Sequence, residues 1–431
     1  MKSTSYALLL FFSFFLGCKC KKDKDSTAPF VTIISPLENQ IFTVGETIFI
    51  KFEIKDNTKI DFAQIAVSDE NGIQVLSPVT FHDLENGQVV EQPILIDNTA
   101  LATGIYFVNI HVSDGDNEQT FFKKIGIQEL PLKRKAIYFV GSTVGQHNVY
   151  KIDSAYSVSF AYTLNGDFIG SAMDSKNNRL ITAGGYTGKL QATNLFDYSI
   201  AWSENPVGSI YPSYRNIVSG MGLNFVSYNS GFIKGYSFSG AIQFNGVCEQ
   251  SVYYPLKVGV SSKYVLSEQA TFVGNTKKLV LYNFPSGSDK QEINFPGDAI
   301  EFISKNEEDF FIFYNLGNTG KISIYNTFGN GLSYTFPFSL SGKIISVAAI
   351  NNTNFLVGTD NGIYNFTYNP QNYVLFKSGI KASKIKYDST NNQVIASEGK
   401  HLYFYELSSG TLVNSVTATD SIADFQLYYN R

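Results

Sequence analysis

At 431 residues the chain is long enough for two or three domains, or for one large repeat array with a small companion. A formal net charge of −4 excludes the bulk basic field that draws nucleic acid, and three cysteines are too few for a disulfide framework or a zinc site. The charged fraction, 16%, is low and the aromatic fraction, 15%, is high, which together with abundant glycine favours strands over helices.

Lys2 gives a positive start ahead of an apolar run of eleven residues, "YALLLFFSFFL" at 6–16. A bilayer-spanning helix needs about 20 residues, so this run has the proportions of a secretory signal core. It ends in Phe15-Leu16-Gly17-Cys18, which resembles the lipobox of bacterial lipoproteins. That resemblance implies cleavage before Cys18 and a diacylglycerol on its sulfur. Cys20 fits poorly, because Lys19 would occupy the small-residue cleavage position. By the same resemblance, Lys19 in place of an inner-membrane retention Asp implies the outer membrane. Residues 1–17 are therefore expected to be a signal peptide and 18–28 a lipidated tether. The Lys/Asp-rich tether is similar to those of Bacteroidota lipoproteins. These features imply a lipid-anchored protein of the cell envelope, facing either side of the outer membrane.

Period-two patterns begin near residue 31. "TIFIKFEIKD" (47–56) and "GIYFVNIHVSD" (104–114) alternate apolar and polar side chains, as half-buried strands do. Seven strands are expected, near 31–35, 47–55, 62–68, 72–77, 89–96, 104–113 and 119–127. That density predicts a β-sandwich over 29–130. Its opening, "APFVTIISPLENQIFTVGETI", resembles bacterial Ig-like modules. Two acidic loops, 55–61 and 113–118, would share one end of such a sandwich. Asp56, Asp61, Asp114 and Asp116 could then supply oxygens to Ca²⁺. The simpler expectation is two turns in which Asp and Asn bond their own backbone.

Residues 135–431 repeat. An apolar strand, a Gly or Asn turn and an aromatic-rich strand recur seven times. Ile137, Leu180, Phe225, Tyr264, Phe311, Phe355 and Val394 occupy equivalent places, at steps of 43, 45, 39, 47, 44 and 39 residues. This near-constant period is that of a four-stranded propeller blade. Inner strands are expected at 168, 257, 299, 344 and 382, and outer strands at 198, 241, 291, 333, 373 and 411. The first copy lacks its inner strand, and the chain ends with one orphan strand, "SIADFQLYY" at 421–429. Together they make a seventh blade and remove the exposed edges of an open array. The expected fold is thus all-β, an Ig-like sandwich followed by a seven-bladed propeller closed by its C-terminal strand. The repeat resembles WD40/YVTN-like propellers in architecture, without their Trp-Asp, Gly-His or YVTN signatures.

Catalytic signatures are missing. The four histidines, His82, His111, His147 and His401, fall in four separate segments, and no H-E-x-x-H, G-x-S-x-G or P-loop occurs. The aspartate boxes of sialidase propellers are absent, and the lone Trp202 excludes the tryptophan-rich blades of quinone-dependent dehydrogenases. Cys248 reads as a small buried hydrophobe. No cofactor is implied. The loops leading into the inner strands carry Asn165, Asp167, Tyr211, Tyr214, Tyr253, Tyr254, Asp298, Lys343, Lys381 and Asp420, a candidate binding face for an envelope protein or a glycan. The expectation is a non-catalytic platform. The alternative is a propeller hydrolase, lactonase or lyase with its site at the channel mouth.

Overall fold

Strict alternation along Thr47–Lys55 puts Ile48, Ile50, Phe52 and Ile54 inside and leaves Phe49 exposed, so this strand carries one wall of the first core. In the computed structural model, which describes residues 25–57, 59–143, 146–208, 210–249, 251–329, 331–335 and 342–430, the chain forms two compact units that divide between Pro131 and Leu132. Cys18 lies outside the described residues. Among those residues no helix is long and apolar enough to cross a membrane.

The first unit is a two-sheet sandwich. In chain order its strands are β1 (Phe30–Ser35), β2 (Gln40–Thr43), β3 (Thr47–Lys55), β4 (Ile60–Asp69), β5 (Val79–Leu84), β6 (Val89–Leu95), β7 (Gly104–Ser113) and β8 (Glu118–Gln128). One sheet runs β1-β3-β6, and the other β2-β8-β7-β4-β5. A single apolar core joins the inner faces of both. The segment expected as a strand at 72–77 instead turns back at Asn71-Gly72 and makes only one bridge, Ser68 to Gln74. Pro78, which has no N–H to donate, separates it from β5. Strand β2 carries no alternating signal because Gln40 and Ile41 are both exposed on an edge.

The second unit is a ring of seven four-stranded antiparallel sheets. Blade I joins Arg134–Thr143, Gln146–Ile152 and Val158–Leu164 to the chain's last strand, Ser421–Tyr429, which pairs along Arg134–Ser142. Blades II to VII follow, each starting at its inner strand: Gly170–Asp174, Tyr214–Gly220, Tyr253–Val260, Asp298–Ser304, Ile344–Ala349 and Lys384–Asp388. Each inner strand touches the next, and the ring closes between Lys384–Asp388, Ser421–Tyr429 and Gly170–Asp174. The seven equivalent apolar residues all lie on second strands and are buried. Packing between neighbouring sheets forms the core.

Polar side chains pin blade to blade. Asn216 Oδ1 accepts from Val258 N (3.2 Å) and Ser346 Oγ donates to Ala382 O (2.7 Å). Asp424 Oδ2 accepts from Ser171 N (3.0 Å) and Ser171 Oγ (2.8 Å), which ties the closing strand to blade II.

Candidate binding face and central channel

Inner strands of a propeller run parallel to one another, so their first residues share one face, here termed the upper face. The antiparallel second strand returns to that face. The loops between second and third strands therefore stand beside the loops that lead into inner strands. This juxtaposition decides what each candidate residue does.

Asp167 is turned inward on its own loop. Its Oδ2 accepts from the backbone of Gly185 and Tyr186 (both 2.8 Å) and its Oδ1 from Thr187 and Gly188 (both 2.7 Å). Burial pushes this carboxyl up, but the four amides outweigh it and hold the group well below the usual carboxylate range. A Cβ on Gly188 would sit 2.0 Å from the Asp167 carbonyl oxygen, so the cradle requires glycine there. Asn165 is exposed nearby.

The tyrosines divide. Tyr214 is 1% exposed and its hydroxyl donates to Glu204 O (3.2 Å), so it packs between strands and does not face solvent. Tyr253 lies under the Lys278 ammonium, 4.1 Å from the ring centre. Tyr254 is held between the Arg215 guanidinium (4.7 Å) and the Phe272 ring (4.9 Å). Tyr211 is 53% exposed and meets Phe272 edge-on at 6.4 Å.

The charged residues pair across adjacent loops. Asp298 takes Lys277, which also holds the buried Glu268 at 3.0 Å. Lys381 reaches Asp360 at 3.0 Å while its backbone N–H donates to Glu398 (2.8 Å). The Lys343 backbone also donates to Asp360, and Asp420 accepts from the Tyr150 hydroxyl (3.0 Å). The upper face is thus charged over blades V to I and aromatic over blades III and IV.

Around the aromatic half lies an apolar patch. Ile210 is 85% exposed, Val273 89%, Val252 41% and Phe272 37%. Phe272 N donates to Val252 O (3.0 Å), which sets these loops side by side. Ile210, Val252, Phe272 and Val273 were not among the sequence candidates. Their signal is the apolar "TFV" at 271–273, in a loop after a second strand, where polar turn residues are the rule.

The seven inner strands enclose a central channel with a cavity of about 610 Å³. Its wall carries Arg215, Lys257, Glu301, Lys384, Lys386 and Asp424 among small and aliphatic side chains. Burial pushes the Glu301 carboxyl up against the pull of Lys257, Lys384 and Lys386, and it pushes the Lys386 ammonium down. Cys248 lies apart from the channel, buried, with its thiol pushed up to about 12 by burial. His147 is partly buried against Phe168, and burial lowers it.

In the sandwich, Asp56 and Asp114 do meet, and the third carboxylate beside them is Asp25, from the segment read as a tether; ligand oxygens of the three lie within 4.8 Å of one another. Asp61 and Asp116 are exposed and outside this group. Asp114 accepts from Asp116 N and Asn117 N (both 2.6 Å) and from Asn117 Nδ2 (3.0 Å), and Asp25 accepts from Thr27 N (2.9 Å) and Asn57 Nδ2 (3.1 Å). The Asp114 bonds are those of a turn in which Asp bonds its own backbone, whereas Asn57 ties Asp25 to a segment 32 residues away.

No protein-family signature matches the chain, and no curated protein matches it. Solved structures do. The WD40 β-propeller domain of Doa1 aligns with TM-score 0.45 at 14% identity, over 62% of this chain and 90% of that one. BamB from Moraxella catarrhalis aligns with TM-score 0.41 at 11% identity, over 68% and 92%. A quinoprotein alcohol dehydrogenase-like protein from Bacteroides thetaiotaomicron aligns with TM-score 0.46 at 12% identity, over 94% and 100%. All three likenesses concern the fold and carry no function to this chain.

Proposed function

We propose that this chain is an exported lipoprotein, anchored through Cys18, whose propeller is a non-catalytic docking platform for another protein of the cell envelope. The sandwich at 29–130 serves as an Ig-like spacer between anchor and propeller. The observation that carries the docking role is the apolar patch of Ile210, Tyr211, Val252, Phe272 and Val273 on the upper face. Contiguous exposed apolar surface rimmed by polar groups marks interaction sites, and aromatic anchors dominate their energetics.

The patch favours a protein over a glycan. Sugar sites present flat ring faces flanked by hydrogen-bonding groups. Here Phe272 meets Tyr211 edge-on, its other side leans on Tyr254, and the neighbours are the aliphatic Ile210, Val252 and Val273. Such side chains recover free energy only by being covered with other apolar groups, about 25 cal/mol per Å².

Charge placed in the patch tests this reading. Val273→Asp and Ile210→Asp should leave the thermal transition of the propeller unchanged and abolish co-purification of the partner that the wild-type protein retains from cross-linked envelopes. Retention of the same partner by both variants would refute the proposal.

A further inference from the structure

Inside the channel the charges are unevenly used. Asp424 is spent on Ser171 and on Phe425 N (2.9 Å). Arg215 is spent on Asn229 Oδ1, through Nε (3.0 Å) and Nη2 (2.8 Å), and on the Tyr254 ring. Lys257, Lys384 and Lys386 remain. Among the described residues none of their ammonium groups has a carboxylate within 4.0 Å. Glu301 is within electrostatic reach of all three and touches none of them, and Asp424 also acts on Lys386 from a distance.

The three lysines come from different walls. Lys257 is on the inner strand of blade IV, whereas Lys384 and Lys386 are on that of blade VII, three blades round a ring of seven. All three line the same cavity. Its volume of about 610 Å³ lies within the roughly 300–1,000 Å³ range of small-molecule sites. The channel wall carries four cations, Arg215, Lys257, Lys384 and Lys386, against two carboxylates, and Lys384 repels Lys386 there. A bound anion with charge at both ends removes that repulsion and bridges the walls.

We infer that the channel binds a small organic anion carrying at least two negative charges, held between Lys257 on one wall and Lys384 and Lys386 on the other. Anionic oxygens, of phosphate or carboxylate, are the recognised chemistry. Glu301 opposes the anion and sets a limit on its charge and placement. None of these residues belongs to the apolar patch, so this site stands or falls independently of the docking role.

The test is calorimetric titration of the full-length chain with pyrophosphate and with citrate at constant ionic strength, with sucrose as the uncharged comparison. Saturable binding of either anion at one site per chain is expected, weakened about tenfold or more by Lys257→Met. Pyrophosphate binding alone identifies a phosphorylated ligand, and citrate binding alone a polycarboxylate. Circular dichroism separates a lost site from a lost fold. Glu301→Gln keeps every cation and should tighten binding. No saturable binding of either anion in the millimolar range, binding unaltered by Lys257→Met, or no gain in Glu301→Gln would each overturn the inference.

Discussion

Arg134 donates to Asp388 at 2.6 Å, joining residues 254 positions apart, and both side chains are buried. Arg134 opens the first strand of the propeller, and Asp388 closes the inner strand of blade VII. The same carboxylate accepts from Thr390 Oγ1 (2.7 Å), Asn391 Nδ2 (2.7 Å) and the Tyr429 hydroxyl (3.3 Å). One carboxylate thus gathers the beginning, the last blade and the end of the repeat at the seam where the ring closes.

Removing one partner of a buried ion pair leaves an uncompensated charge, which costs about 3–5 kcal/mol. Arg134→Met should lower the stability of the propeller by about that amount in urea. Trp202 is the single tryptophan, stacked on Tyr236 at 5.4 Å, so its fluorescence follows this unit alone. A loss below about 1 kcal/mol would place the pair among the dispensable surface bridges.

Asp167→Asn keeps the shape of its loop but removes the charge that four backbone amides share. Hydrogen bonds to a charged group are worth about 1.5–3 kcal/mol, and a loss of that order is expected at neutral pH. The pH sign follows from the direction of the shift. The folded carboxyl is held below its unfolded value of 3.8, so its contribution is present above that pH and lost as pH falls through the folded value. The Asn variant should show a flatter acid limb in a plot of urea midpoint against pH. Parallel acid limbs would contradict this.

Glu301 behaves in the opposite sense. Burial raises its carboxyl above the unfolded value of 4.5, despite Lys257, Lys384 and Lys386. As pH rises past that value the unfolded chain loses this proton first, so the folded state binds more protons and stability falls. A glutamine amide in its place cannot titrate. Glu301→Gln should therefore gain stability over the wild type as pH is raised from about 4 towards neutral. A stability difference independent of pH would show that the carboxyl is not perturbed.

Cys18→Ser should abolish labelling with radioactive fatty acid and move the protein from the detergent-extracted membrane fraction to the soluble one. Normal processing and membrane retention of this variant would remove the anchor from the proposal.

The propeller was legible because blade packing demands a buried apolar residue at one place in every second strand. Those places, from Ile137 to Val394, recur at nearly equal steps and are all buried. Ring closure was legible from strand counting alone: three strands at the start, one at the end. The inner strand Tyr214–Gly220 was not, because Arg215 and Asn216 face the channel and interrupt the alternation. The rim was only partly legible. Counting loops into inner strands found Tyr211 and Tyr254 but missed Phe272 and Val273, which reach the same face from the next strand pair. Tyr214 carried a rim residue's sequence position but lies in the core, because it already begins its strand. In the sandwich, Asp56 and Asp114 lie together, while Asp61 and Asp116 lie outside their group. The third member of that group, Asp25, was hidden in a charged segment whose composition reads as solvated chain.

The docking role is tested most directly by a photo-crosslinking residue placed at position 273, with a second at exposed Val413 on an outer strand of blade VII as the comparison, in cells expressing the full chain. One discrete protein adduct is expected from position 273 and none from position 413. Equal adducts at both positions, or none at 273, would contradict the docking role.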